Sequence, residues 1–246
     1  MKVIFLGTNG WYDSQTGNTV CVLIETTNEY LILDAGNGLY KIDQYITPDK
    51  PVYLFLSHFH LDHICGFHVL NKFRFPQGLD LFGPPGLEGA LKNLIAKPYT
   101  APLAGLKTKV RLHELGPKSF RPIPVLFKKL KHPDLCYGYR FLLEGKTVVY
   151  CTDTGICKNA LLLAADADLL IAECALPSGQ EDKRWPHLNP ELAAGLAKDA
   201  RVKKLALMHF DARLYPTLKE RQAAQRQARR IFKQTNAMVD NRVFYL

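Results

Sequence analysis

The sequence has no Cys-x-x-Cys pair, no internal repeat, no low-complexity tract and no Ser/Gly linker. It also has no apolar run near the ~18 residues that a membrane-spanning helix requires, so no membrane partner is expected. The apolar part of the start, Met1 to Gly7, is too short for a secretory signal and no cleavage site follows it. Disulfide scaffolding is therefore not expected, and a cytoplasmic protein with reduced thiols is. Cys21, Cys65, Cys136, Cys151, Cys157 and Cys174 are scattered, and four of the six lie in apolar, strand-like surroundings where Cys packs as a small hydrophobe. Acid is in short supply as well: 23 Asp and Glu face 32 Lys and Arg, a formal net charge of +9.

That excess is uneven. Residues 107–131 carry eight Lys or Arg against Glu114 alone, and residues 201–233 carry ten against Asp211 and Glu220. Such a field favours anionic partners such as nucleotides, phosphate esters or nucleic acid, and it also suits a plain solvated surface. With 246 residues and 47% hydrophobic side chains, the chain is long enough to bury a full core, and one domain over 1–246 is the economical reading.

Short β-branched or aromatic runs bounded by Gly, Asn, Asp or Pro read as strands at 3–6, 19–24, 30–33, 52–56, 79–82, 125–131, 137–143, 147–151, 168–172, 205–208 and 243–246. Glu144-Gly145 reads as a hairpin turn. Asn189-Pro190 marks a helix start, with an N-cap followed by Pro in the first turn. Thr217 and Glu220 form a capping box that opens a helix to about residue 233, whose cations, Arg221 among them, read as an outer face. Strands interleaved with helices predict a layered α/β fold.

The chemistry concentrates in Ser57-His58-Phe59-His60-Leu61-Asp62-His63. Four ligand-type residues at one strand exit are not explained by packing, because burying them unpaired is costly. Neutral imidazoles and carboxylate suit zinc and other first-row ions, and the spacing suggests two neighbouring ions rather than one closed site. Asp34, His132, Asp153, Glu173 and His209 each stand just past the end of another predicted strand, the edge where α/β sheets gather their sites.

The pattern His58-x-His60-x-Asp62-His63 resembles the signature of the metallo-β-lactamase superfamily. Leu33-Asp34-Ala35-Gly36 resembles its early Asp motif, Thr152-Asp153-Thr154-Gly155 its bridging-Asp motif and Met208-His209-Phe210 its final His motif. The resemblance implies a four-layer αββα sandwich. It also implies two divalent cations, with Zn the leading candidate and Mn or Fe the alternatives. One would sit on His58, His60 and His132 and the other on Asp62, His63 and His209, with Asp153 between them. Within the superfamily, Ile171-Ala172-Glu173-Cys174 and His187-Leu188-Asn189-Pro190 resemble the phosphodiesterase branch that includes ribonuclease Z and cyclic phosphodiesterases. There His187 is implied to act on the leaving group and Glu173 to orient it, with Asp62 both a ligand and a partner of the nucleophile. Ribonuclease Z carries a long tRNA-clamping arm between its counterparts of His132 and Asp153. Here twenty residues separate them, with no room for an arm. A small or cyclic phosphodiester, nucleotide or short oligonucleotide is the expected substrate, reached by hydroxide attack at the metals. The alternatives are tRNA 3′ processing, or hydrolysis of a thioester, lactone or sulfate ester. Lys and Arg of residues 107–131 are the expected phosphate-steering groups.

Overall fold

The computed structural model describes residues 1–117 and 119–246. Two sheets face each other. The first has seven strands in the order β15-β1-β3-β4-β5-β6-β7, where β1 is Lys2–Gly7, β3 Cys21–Glu25, β4 Tyr30–Leu33, β5 Val52–Phe55, β6 Leu79–Gly83, β7 Val110–Glu114 and β15 Arg242–Tyr245. The second has six, β14-β12-β11-β10-β9-β8, formed by β8 Val125–Lys129, β9 Tyr137–Leu143, β10 Lys146–Cys151, β11 Leu169–Glu173, β12 Leu205–Met208 and β14 Thr235–Ala237. A small parallel pair, β2 Asn9–Gly10 with β13 Phe210–Asp211, joins the two halves near their common edge.

Strand periodicity decides the layers, since alternate side chains leave opposite faces. In β1, Val3 and Phe5 point into the inter-sheet core while Ile4 and Leu6 point outward. In β11, Leu169 and Ile171 point inward and Leu170 and Ala172 outward. Both faces are buried, which is why these strands read as continuous apolar runs. The outward residues of the first sheet are covered by 3-10 turns and by α2 (Leu87–Leu94), after the short α1 (Leu61–Ile64). Those of the second sheet pack against α3 (Lys158–Ala164), α4 (Pro190–Asp199) and α5 (Leu218–Arg229). The result is the expected four-layer αββα sandwich. The expected caps form too: Asn189 accepts from Leu192 N at 2.8 Å, and Thr217 with Glu220 closes the capping box. Cys21, Cys136, Cys151 and Cys174 are buried and all six cysteines are unpaired. No helix among the described residues is long and apolar enough to cross a membrane.

Three differences from the sequence reading have physical causes. β7 and β14 were not anticipated, because Val-Arg-Leu-His-Glu and Thr-Asn-Ala are edge strands with little apolar content. The last helix ends at Arg229 rather than near 233. Arg221 is not on an outer face: it is 1% exposed, and burial pulls its guanidinium down to about 10, still charged at neutral pH. It donates to Thr8 Oγ1 at 2.8 Å, Thr16 Oγ1 at 2.9 Å and Asn9 Oδ1, and lies 4.8 Å from the Phe210 ring centroid. Beside it, Asp240 accepts from Thr8 Oγ1, Asn18 N and Lys41 Nζ at 2.8 to 2.9 Å. The buried Arg221 and the half-buried Asp240 pin residues 8–18, the loop that reaches the site.

Arg221→Met is expected to leave Thr8, Asn9 and Thr16 short of donors and to lower unfolding free energy by about 2–4 kcal/mol, read by urea denaturation. A loss under ~0.5 kcal/mol, typical of a surface cation, would contradict the buried role.

Candidate metal centre

β4, β5 and β6 run parallel in one sheet, and β10, β11 and β12 run parallel in the other. Their C-terminal ends deliver the site. Asp34 follows β4, Ser57 and His58 follow β5, Asp153 follows β10, Glu173 ends β11 and His209 follows β12. Asp34, Asp153 and His209 have φ of 57°, 47° and 54°. Non-glycine residues in this left-handed region cost of order 1 kcal/mol or more, and they persist where the surroundings over-determine them. Gly10 is required for a different reason: a Cβ there would stand 2.6 Å from the His209 ring.

The expected ligand residues converge in two groups. Donor atoms of His58, His60, His132 and Asp153 all lie within 4.8 Å of one another, and so do those of Asp62, His63 and His209. Asp153 faces both. Its Oδ2 is 3.7 Å from His58 Nε2, while Oδ1 is 3.0 Å from His209 Nε2 and 3.3 Å from His63 Nε2. Asp62 Oδ2 is 3.3 Å from His209 Nε2 and 3.5 Å from His63 Nε2, and accepts from Trp11 N at 2.8 Å.

Electrostatics differ between the groups. Burial holds His58 well below the usual histidine range and lowers His132, so both are neutral at pH 7, the form a metal takes. Their Nε2 atoms are buried without a hydrogen-bond partner among the described residues, at ~1–3 kcal/mol each for a buried polar atom left unpaired. His60 gives Nε2 to Asp134 Oδ2 at 2.8 Å, which leaves Nδ1 for the centre. Around His63 and His209, burial opposes a proton, yet the nearby carboxylates Asp153 and Asp62 win and raise both above the usual value. The same carboxylates that favour a proton there would favour a cation, and the two compete. These donors fit divalent metal: neutral nitrogens lacking partners on one side, excess negative charge on the other.

Asp34 underlies the arrangement. Its Oδ2 accepts from His63 Nδ1 at 2.8 Å, Ser57 Oγ at 2.8 Å and Tyr150 OH at 2.7 Å, and Oδ1 accepts from Ser57 N at 2.7 Å. Ser57 Oγ in turn lies 2.9 Å from His58 Nδ1. One carboxylate therefore sets the tautomer of His63 and the position of His58. Sequence alone placed Asp34 at a strand end without this role. Ser57, Tyr150 and Asp134 were missed, since nothing marks a hydroxyl or a loop acid as a partner of a particular imidazole.

His187 and Glu173 also meet. His187 Nδ1 is 2.8 Å from Glu173 Oε1, which accepts from Thr154 N as well. Burial disfavours its proton, but Glu173, then Asp153 and Asp62, outweigh burial and raise His187 to about 9. His187 lines a cleft of about 700 Å³ over the two groups, with Asp62, Asp153 and His209. The expected steering cations of 107–131 do not line it: among the described residues Arg213, on the other basic segment, is the one Lys or Arg that does. Arg111, Lys128 and Lys129 lie on β7 and β8, the edge strands of the two sheets, and Lys118 lies outside the described residues.

Asp34→Ala removes none of the seven candidate donors. It is expected to weaken zinc binding by about 10–100-fold, the usual effect of losing a histidine's carboxylate partner, measured by competition with a chromophoric chelator. Unchanged affinity would show that Asp34 holds the sheets and not the site.

Residues 29–210 match the beta-lactamase superfamily domain. The chain is 27% identical over 227 residues to the "probable metallo-hydrolase YhfI" of Bacillus subtilis, covering 85% of this chain and 87% of that one. The crystal structure of YhfI superposes with a TM-score of 0.82 at 24% identity, covering 99% and 98% of the two chains. Ribonuclease Z of Lacticaseibacillus casei is 27% identical over 302 aligned positions, covering 98% of this chain and 93% of its own. Because this chain has 246 residues, at least 56 of those 302 positions belong to the ribonuclease alone. Human tRNase Z, short form, shares the fold with a TM-score of 0.76 at 22% identity, covering 100% and 99%. With the αββα layers, the strand-end motifs and a match over most of its length, the chain belongs to the metallo-β-lactamase superfamily.

Proposed function

We propose that the protein is a binuclear metal-dependent phosphodiesterase acting on a small or cyclic phosphodiester or a short oligonucleotide. The observation that carries this reading is the placement of His187, held by Glu173, on the wall of a cleft whose floor is the two-group donor set bridged by Asp153. His58, His60 and His132 would hold one cation, Asp62, His63 and His209 the second, and Asp153 would serve both, with Zn favoured by the nitrogen and oxygen donors. Bound there, the cations supply a nucleophile from water near neutral pH and neutralise the phosphate oxygens.

The remaining work falls to side chains. Asp62, fixed by Trp11 N, is both ligand and acceptor for the incoming nucleophile. His187 donates Nδ1–H to Glu173, so its second proton, on Nε2, is free for the departing alkoxide. Its raised pKa keeps that proton in place through neutral pH and releases it only as pH climbs toward about 9. Glu173 orients the ring.

The hairpin supports a small substrate. β9 and β10 are joined directly through Glu144 and Gly145, so nothing projects between His132 and Asp153 to grip a large RNA. A second reading, tRNA 3′ processing, is supported by the ribonuclease Z relatives and by the net charge of +9.

His187→Ala is expected to keep metal content unchanged and to lower kcat on diesters with poor leaving groups by roughly 10²–10⁴-fold. The loss on p-nitrophenyl esters, whose phenolate needs no proton, is expected to be much smaller. Equal losses on both would remove His187 from the leaving-group side.

A further inference from the structure

The chain has two tryptophans, Trp11 and Trp185, and the fold brings both to the mouth of the cleft. They remain 60% and 47% exposed, although indole is among the costliest side chains to leave in water. Each flanks a different half of the donor set. Trp185 stacks on His60 with centroids 5.7 Å apart and planes 14° from parallel, and meets His132 edge-on at 5.9 Å. Its loop is fixed by Asp182 Oδ1, which accepts from the backbone N of Arg184 and of Trp185 at 2.8 and 3.0 Å. Trp11 stands beside Asp62 and carries the Arg213 guanidinium 5.3 Å from its ring centroid. Arg213 approaches its nearest acid, Asp211, only to 4.0 Å with both partly in water, so its charge is available to a ligand.

We infer that Trp185 is a stacking platform for a planar, nucleobase-sized group on one ester arm of the substrate, with Arg213, braced on Trp11, meeting the phosphate charge. This rests on the phosphodiesterase reading and narrows it. The cleft volume of about 700 Å³ suits a nucleotide-sized ligand. Base stacking on an exposed aromatic ring tolerates any base, so the platform selects for a ring and not for a sequence. Packing alone gives Trp185 a narrower task, holding His60 in place, and that task would affect every substrate equally.

The test compares adenosine 2′,3′-cyclic phosphate with methyl riboside 2′,3′-cyclic phosphate, which presents the same reacting diester without a base. The metal-loaded wild type is expected to prefer the nucleotide in kcat/KM. In Trp185→Ala that preference ratio is expected to fall about tenfold to a hundredfold through KM, and Trp185→Phe is expected to retain most of it. A wild type without preference, or a ratio unchanged in Trp185→Ala, overturns the platform while leaving the phosphodiesterase intact. Turnover of neither diester overturns the phosphodiesterase reading instead. In that event binding decides the platform: in Trp11→Phe the sole indole is Trp185, whose fluorescence AMP is expected to quench and ribose 5-phosphate is not. Equal response to the two ligands, or none, overturns it.

Discussion

The Asp153 carboxylate, buried and turned with one oxygen toward each of two imidazole groups, is the constraint around which the site is arranged. A buried carboxylate needs counter-charge close by, and the fold sets it against His63 and His209. Asp153 and Asp62 favour a proton on the His63 and His209 side, while burial keeps His58 and His132 neutral. Much of the local backbone follows from meeting this demand. Asp34, Asp153 and His209 leave their strands in left-handed conformations, so their side chains turn toward the seam between the sheets rather than continuing the pleat. The two sheets, with a shared core of Phe55, Phe82, Tyr139, Phe141 and Tyr150, absorb the cost.

The same seam explains the division of labour around the donors. Asp34 sits behind them and reaches two imidazoles directly or through Ser57. Arg221 and Asp240, farther back, hold the 8–18 loop that lays Trp11 N against Asp62. Asp34 and Arg221 are buried and Asp240 is nearly so; the groups facing the cleft, His187, Trp185, Trp11 and Arg213, are at least partly exposed. Rigid support below and accessible side chains above are what a catalytic cleft requires.

Much of this was legible in the sequence because the parallel strands are continuous apolar runs that stop abruptly at a ligand-type residue. Leu33 to Asp34, Leu56 to His58 and Met208 to His209 are such boundaries, so strand and site announced each other. His187 was marked only by the resemblance of His187-Leu188-Asn189-Pro190 to the phosphodiesterase branch, while its partner Glu173 was marked also by the end of β11. What escaped was set by tertiary contact. The cation of Arg221 looks like any other on a basic helix until Thr8, Asn9 and Thr16 close over it. Arg213 lines the cleft beside the β13–β2 pair, whereas no described cation of the basic run at 107–131 lines it. Edge strands β7 and β14 carry too few apolar residues for alternation to show.

The central claim is that one carboxylate serves two metal ions, and metal counting tests it most directly. Native mass spectrometry of the zinc-loaded protein should show two ions per chain. Asp153→Ala should lose affinity for both, because the oxygen facing each group disappears with one side chain. A single tightly held ion in the wild type, retained unchanged in Asp153→Ala, would contradict the account.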